Sequence, residues 1–272
     1  MKKITSHFFA LTLVLLVASC SKDDAPSEGS STPAVNDDPI PGMFQKNVLI
    51  EDYTGTWCGW CPRVAYSIEA VKTATTKSVA VAIHGGSASE PMRYTGSLPI
   101  EIQGYPTGML DRTVEWVYPE NTHINQAKNL SRNNAGLGIA MNSTVSGGNI
   151  NLDVKIKFAK DLTNTKLVVY LVEDNLVYNQ TNYTSFYGGT STISNFEHDN
   201  VLREALTSIN GDALTGTTTG QTITKNFTLT LPTNVTNAAN LHFVAFVIGS
   251  NGGAINVREA LPNVDQSFEQ NP

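Results

Sequence analysis

The chain has 272 residues, 40% of them hydrophobic, and a formal net charge of −6 at pH 7. This acidic balance argues against nucleic acid as a partner, because phosphate backbones are bound by basic faces. The length is sufficient for two modest domains.

Residues 1–19 form a predicted signal peptide. Two lysines precede an apolar run over residues 8–17 that is too short to span a bilayer comfortably. The following Leu-Val-Ala-Ser-Cys, residues 16–20, resembles the bacterial lipobox, which implies cleavage before Cys20 and lipidation of its sulfur. The alternative is an uncleaved membrane anchor. We therefore expect a lipoprotein that is held at the membrane through Cys20.

Residues 20–44 are rich in Ser, Pro, Asp and Gly and lack apolar periodicity, which predicts a flexible tether. Ser21 follows the predicted lipidated cysteine, and a serine rather than an aspartate there argues against retention in the inner membrane. The next residues, Lys22-Asp23-Asp24, resemble the short lipoprotein export signal of Bacteroidetes, which implies display on the outer surface. The alternative is that they merely begin a solvated tether, which leaves an outer-membrane lipoprotein facing the periplasm as the second choice.

A Cys-x-x-Cys sequence lies between a predicted buried strand over residues 47–53 and a helix whose apolar face includes Val64 and Ile68. Backbone N–H groups and the positive dipole end of that helix stabilise a thiolate on Cys58. Cys61, one turn along, can then close a disulfide. Since the only other cysteine is the predicted lipidation site, this pair is a candidate for function rather than for stapling the fold.

Farther along, Gly-Tyr-Pro-Thr-Gly places Pro106 before a short apolar strand. A strand, Trp-Cys-x-x-Cys, a helix and a later Pro-Thr before a strand together resemble the thioredoxin superfamily over residues 45–132. The resemblance implies that Pro106 is cis and packs against the disulfide. It also implies that Asp52, six residues before Cys58, is a buried acid, and that Trp57 is the tryptophan of the motif.

The roles expected from this resemblance are specific. Cys58 would be the nucleophile, Cys61 the resolving thiol, Asp52 the proton acceptor and Pro106 a backbone guide for substrate. For the acid, an alternative from strand alternation is that Glu51 points inward and Asp52 is exposed. Contacts with substrate are expected from the residues that flank the motif and the proline, namely Trp57, Trp60, Tyr105 and Thr107.

Two other interpretations of the cysteine pair remain open. A structural zinc site needs four ligands, usually from two such pairs, and the sequence holds no second pair. We therefore predict no metal and no other cofactor. A purely structural disulfide is the second alternative, although a loop of four residues stabilises a fold only weakly.

The rest of the first domain, residues 45–134, contains a predicted parallel strand over 78–83 that ends at His84. Because ligands gather at the carboxyl ends of parallel strands, His84 could assist proton transfer or stabilise a thiolate. The alternative is a structural loop histidine. Short helices are predicted over 97–102 and 121–132.

From residue 135 to residue 272 the pattern becomes alternating strands separated by Asn, Thr and Gly turns, which favours a β-sandwich. A hairpin turn is predicted at Gly147-Gly148. The long stretch 174–222 holds a short predicted helix over 199–206 and His198, which we interpret as structural. It also holds an aromatic group, for which packing over the sandwich end is favoured over a contact surface: Tyr178, Tyr183, Phe186 and Tyr187.

The combination is similar to the Bacteroidetes family of 28-kDa outer-membrane lipoproteins over most of residues 45–260. The similarity includes Tyr-Thr-Gly-Thr-Trp-Cys-Gly-Trp-Cys-Pro, Gly-Tyr-Pro-Thr-Gly and His-Asp-Asn-Val-Leu-Arg. The predicted fold class is thus α/β plus all-β, a thioredoxin-like domain followed by a β-sandwich. The leading functional hypothesis is thiol–disulfide exchange on protein thiols or disulfides of the cell envelope. The rival is a surface binding or adhesion lipoprotein with a vestigial or structural disulfide.

Overall fold

The computed structural model describes residues 43–116 and 120–271, with no side chains described for 120–122. Cys20 and the signal peptide and tether predicted over residues 1–42 lie outside the described residues. In the first half the elements are β1 Phe44–Gln45, β2 Val48–Thr54, α1 Pro62–Ala74, β3 Ser78–His84, β4 Thr107–Leu110, β5 Val114–Glu115 and α2 Glu120–Ser131.

The second half is almost entirely β-structure, with two short 3₁₀ turns at Phe186–Gly188 and Ala238–Asn240. Its strands are β6 Asn134–Ala135, β7 Leu137–Ser146, β8 Asn149–Phe158, β9 Lys166–Glu173, β10 Leu176–Thr181, β11 Thr192–His198, β12 Val201–Ala205, β13 Asp212–Ala213, β14 Thr222–Thr230, β15 Leu241–Ile248 and β16 Ala254–Ala260. The described chain is therefore mostly β-sheet with two α-helices, an α/β part joined to a β-rich part.

One nine-stranded sheet runs through both halves, in the order β16-β15-β9-β12-β3-β2-β4-β5 with β13 beside β9. Strand β12 from the second half lies parallel to β3 from the first, and Val201 pairs with Ala82. The described residues belong to one compact unit. The domain division between residues 134 and 135 stays a prediction, and the structure adds that a single sheet crosses it.

The two helices cover one face of the first-half strands. Val64, Ile68 and Val71 occur at helical spacing and are buried against β2, β3 and α2. Burial of each such side chain contributes about 1.5–3 kcal/mol. Pro62 occupies the first turn, where a missing N–H costs little. This packing fixes the start of α1 beside the end of β2.

On the same face of the large sheet, the three-stranded sheet β14-β8-β7 packs against β9 and β15. The predicted hairpin turn at Gly147-Gly148 is confirmed, with φ values of 57° and 78° that favour glycine. The opposite face of the large sheet is covered by the connection between β3 and β4, which packs Leu98, Ile100 and Ile102 against it.

Two helix predictions are wrong. Residues 97–102 form no helix, because Leu98, Ile100 and Ile102 repeat with period two and all face the sheet. Residues 201–205 form β12 instead of a helix, since pairing with both β3 and β9 outweighs local propensity. The helix predicted over 121–132 is confirmed as α2.

Candidate functional site

The cysteine pair lies where β2 ends and α1 begins. Cys61 directly precedes the first helical residue, and its carbonyl accepts a hydrogen bond from Val64 N at 3.0 Å. Cys58 and Cys61 are joined in a disulfide, with Cα atoms 5.4 Å apart. Both residues are buried, with 4% and 2% of their surface exposed. The disulfide thus adjoins a helix N-terminus, where backbone N–H groups and the helix dipole stabilise a thiolate.

The Tyr105–Pro106 peptide bond is cis, as expected. Thr107 begins β4 and pairs with Tyr53 near the end of the antiparallel strand β2, so the proline loop before β4 and the cysteine loop after β2 lie at the same end of these neighbouring strands. The Tyr105 ring contacts the Trp57 ring edge-on, with centroids 5.3 Å apart. The structure therefore brings Trp57, Tyr105 and Thr107 into one region beside the cysteine loop.

Asp52 and Glu51 are both buried, on opposite faces of β2, so the alternative with an exposed Asp52 is wrong. Glu51 is satisfied by Arg112, whose Nη2 lies 3.0 Å from its Oε1, and by the Tyr53 hydroxyl at 3.1 Å. None of the described residues forms a hydrogen bond with Asp52 Oδ1. Burial raises the pKa of Asp52 to about 8. Of the two acids, Asp52 is the one poised to exchange a proton near neutral pH.

His84 ends β3 and is fixed by Glu90, with Nδ1 3.0 Å from Oε1. The other Glu90 oxygen accepts hydrogen bonds from Thr56 N and Oγ1 at 2.8 and 2.7 Å, which ties His84 to the loop before the cysteines. Burial acts to raise the pKa of Glu90, but the bonds from His84 and Thr56 outweigh it and hold that pKa below its ordinary value. The carboxylate therefore stays ionised and orients the imidazole.

Strands β10 and β11 and the turn between them, residues 176–198, form a hairpin that lies over the cysteine loop; we call it the covering hairpin. Tyr183 N donates to Gly59 O at 2.7 Å, and Gln180 Nε2 donates to Cys58 O at 2.9 Å. A side chain at Gly59 would meet the Tyr183 ring at 2.3 Å. This close approach explains the glycine within the Cys-x-x-Cys sequence.

Three aromatic side chains of the covering hairpin, Tyr183, Phe186 and Tyr187, pack on α1 and the cysteine loop, so the expectation that they cover the sandwich end is wrong. Phe186 stacks on Tyr66 at 4.3 Å, and Tyr183 contacts Trp60 edge-on at 6.1 Å. Trp60 and Tyr183 remain half or more exposed, at 50% and 63%. Trp60 thus lies on the hairpin side of the disulfide.

A cavity of about 110 Å³ lies behind the disulfide, between α1 and the sheet. Its floor includes Ala80 and Ala82, whose small side chains leave space under the helix. Buried polar groups from four strands and the cysteine loop line it, namely Asp52, Cys61, His84, Gln180 and His198.

Sequence reasoning missed Glu90, Gln180 and the site role of His198, whose ring centre lies 5.4 Å from that of His84. Glu90 lies in a loop with no recognisable motif, and only its position six residues after His84 suggests a contact between the two. Gln180 is separated from Cys58 by 122 residues. The cluster of aromatics beside Gln180 was the one available signal.

Within residues 43–116 and 120–271, no group of three or more His, Cys, Asp or Glu side chains is arranged to hold a metal ion. No helix in the same part of the chain is long and apolar enough to cross a membrane.

Residues 97–266 match the family model described as "Outer membrane protein Omp28". The matched region begins after the cysteines but contains Pro106 and the whole covering hairpin. Comparison with curated proteins yields no match.

Among solved structures, the chain is similar to HBP35 of Porphyromonas gingivalis, with 19% identity over 85% of this chain and 81% of that one and a TM-score of 0.61. A domain of the outer membrane lipoprotein Omp28 from Porphyromonas gingivalis aligns over 48% of this chain and 92% of its own length, with 19% identity and a TM-score of 0.33. At these identities the likeness to HBP35 concerns the fold, whereas the family match extends over more than half of the sequence. The chain therefore belongs to the Omp28 family of outer membrane proteins.

Proposed function

We propose that the protein is a lipid-anchored thiol–disulfide oxidoreductase of the outer membrane with a thioredoxin-like site. The observation that carries the proposal is the Cys58–Cys61 disulfide at the N-terminus of α1, close to the buried carboxyl of Asp52, whose Oδ1 has no hydrogen-bonding partner among the described residues. The cis Tyr105–Pro106 bond and the fold shared with HBP35 add support.

In this proposal the reduced protein acts on a disulfide of a protein substrate. The Cys58 thiolate attacks one substrate sulfur, and the other leaves with the electron pair of the broken bond. Asp52, which is mostly protonated at pH 7 because its pKa is about 8, first releases its own proton. Its carboxylate then accepts the proton of Cys61, which attacks Cys58 and releases the second substrate thiolate. The substrate gains two electrons, and the protein ends with the disulfide seen in the structure. The same steps in reverse oxidise a substrate dithiol.

Substrate would meet the protein at the exposed rings beside the disulfide. Trp57 and Trp60 are 44% and 50% exposed, and neither tryptophan belongs to the buried cores of the sheets. The backbone at Tyr105 and the Thr107 side chain flank the proline, where an extended substrate segment would be guided. We propose His84 as an auxiliary group, held by Glu90 at the edge of the same region.

The covering hairpin limits this encounter, because Cys58 is only 4% exposed beneath it. Tyr183 of the hairpin contacts the cysteine loop through one backbone hydrogen bond, to Gly59, and through an edge-on ring contact with Trp60. Displacement of this part of the hairpin would uncover the cysteine loop while β10 and β11 stay paired. We therefore propose that protein substrates reach Cys58 only when the Tyr183 region moves.

Lipidation at Cys20 and export to the outer surface complete the proposal, with a periplasm-facing anchor as the second choice. Membership in a family of outer membrane proteins supports a location at the outer membrane, but it does not distinguish the outer surface from the periplasmic side.

The rival function is binding or adhesion, with the disulfide as a structural clip. The burial of both cysteines under the covering hairpin is the observation that favours it.

Two measurements separate these functions. Alkylation of the reduced protein at mildly acidic pH should label Cys58 well before Cys61, since only the first thiol gains stabilisation of its thiolate. A Cys61→Ser variant in cells should accumulate mixed disulfides on Cys58, and a Cys58→Ser, Cys61→Ser double variant should not. Equal labelling of two thiols that titrate near the ordinary value of about 8.5, with no trapped partner, would leave the binding function.

A further inference from the structure

The cavity behind the disulfide is lined by two residues that each have a buried polar atom without a hydrogen bond. Throughout the described part of the chain, neither Asp52 Oδ1 nor His198 Nε2 has a hydrogen-bonding partner. Both residues line the cavity and are more than nine-tenths buried. A volume of about 110 Å³ is enough for roughly three water molecules. Water there would satisfy both atoms, each of which otherwise costs about 1–3 kcal/mol.

The cavity leads from the disulfide to solvent. At its inner end lie Asp52 and Cys61, which are buried; at its outer end lie Glu69, Glu197 and Asp199, which are exposed. This outlet runs between α1 and the end of β11. Neither Trp57 nor Tyr105 lines this cavity.

His198 is held as a neutral imidazole that can accept a hydrogen bond. Burial lowers its pKa to about 3, the neighbouring His84 adds to this, and Glu90 and a hydrogen bond to the Tyr178 backbone only partly oppose it. The ring nitrogen that donates to Tyr178 must carry the proton, so Nε2 presents a lone pair. The ring is fixed between His84 and Phe196, whose centroids lie 5.4 and 4.8 Å away.

We propose that this cavity is the path by which the proton of Cys61 passes from Asp52 to solvent, and that His198 is the positioning residue that orders water along it. The inference rests on the proposed thiol–disulfide exchange. When Cys61 attacks Cys58 in the mixed disulfide, its proton moves to the Asp52 carboxylate, and the electron pair of the broken bond leaves with the substrate thiolate. The proton then moves from Asp52 through water to the cavity mouth.

The test uses the reduced chain with Cys20 replaced by Ser, so that Cys58 and Cys61 are its only thiols, and the aromatic disulfide dithiobis(nitrobenzoate), whose thiolate absorbs on release. The first release reports attack by Cys58, and the second reports resolution by Cys61. His198→Phe keeps the shape of the ring but removes the acceptor, and it should slow the second release about tenfold at pH 7, less than the loss of a whole general base. His198→Gln keeps an acceptor and should stay within about twofold of the parent protein. The first release should be unchanged in both.

A second route to the same result avoids any change at His198. Ala82→Val adds two methyl groups at the cavity floor and should also slow only the second release. Both slowed variants should show a larger solvent deuterium effect on that phase and a displaced pH profile, which a purely structural role of His198 would not produce.

The outcomes separate the two proposals. If the parent protein shows no second release, thiol–disulfide exchange itself fails. If the second release occurs but is equally fast in His198→Phe and Ala82→Val, exchange stands and the proton path is wrong. If His198→Gln is as slow as His198→Phe, the histidine acts through its shape, and its role in ordering water is overturned.

Discussion

Replacing Asp52 by Asn should make the stability of the folded protein less sensitive to a rise in pH between about 4 and 8. The pKa of Asp52 lies near 8 in the folded chain and at the ordinary 3.8 when unfolded, because burial disfavours the carboxylate. Between these values the folded state keeps a proton that the unfolded state has lost, so the free energy of unfolding falls as pH rises. The stability contributed by the protonated Asp52 is fully present below the pKa of the unfolded chain, and it is completely lost above the pKa of the folded chain.

The size of this effect follows from the two pKa values. Each pH unit between them costs about 1.36 kcal/mol, so at pH 7 the parent protein has lost about 4 kcal/mol that it possesses at pH 3. At pH 9 the loss approaches about 6 kcal/mol. Asp52→Asn has no proton to lose at this position. Its stability relative to the parent should therefore increase steadily from about pH 4 to pH 8 and then level off.

The assay is urea unfolding of the oxidised chain with Cys20 replaced by Ser, repeated from pH 4 to pH 9 for both proteins. Subtraction of the two curves removes every other titrating group. Glu101→Gln, which alters an exposed carboxylate away from the site, is the control and should give a flat difference. A flat difference for Asp52→Asn as well would refute the raised pKa and, with it, the role of Asp52 as the proton acceptor.

Three other predictions concern the neighbours of this acid, the covering hairpin and the anchor. Glu51→Gln should destabilise the chain by about 3–5 kcal/mol in the same urea assay, because it leaves the buried Arg112 guanidinium without its counterion; a loss below about 1 kcal/mol would contradict this. Tyr183→Ala should raise the rate at which a small thiol reduces the disulfide, measured by quenched alkylation, since it uncovers Cys58; an unchanged rate would show that the hairpin does not control access. Replacing Lys22-Asp23-Asp24 by alanines should protect the protein from protease added to intact cells, and a parent protein that already resists the protease would indicate a periplasm-facing anchor.

The elements around the cysteine pair could be predicted because their signals are local. The helix after Cys61 follows from the spacing of Val64, Ile68 and Val71, which are buried as that spacing requires. The burial of Asp52 was less accessible, because Glu51 next to it is equally buried on the opposite face. The two acids differ in their partners, because Glu51 pairs with Arg112, 61 residues away, and accepts a hydrogen bond from the Tyr53 hydroxyl.

The misassigned segments show where local patterns fail. Val201–Ala205 has the composition of a short helix. It forms a strand instead, because it pairs with β3 on one side and with β9 on the other. The aromatic residues from Tyr183 to Tyr187 are recognisable as a group, yet nothing near them identifies Gly59 and Tyr66 as their partners. Contacts over such separations depend on the path of the whole chain.

These long-range contacts change how the two halves of the molecule should be regarded. The covering hairpin, with Gln180 and His198, belongs to the region that matches the Omp28 family, whereas Cys58 and Cys61 precede it. The β-rich half thus supplies both the cover of the disulfide and part of the cavity wall. It also supplies β12, which closes the edge of β3. The cysteine pair between β2 and α1 is therefore inseparable from the second half, and any function of the disulfide must be a function of the joined sheet.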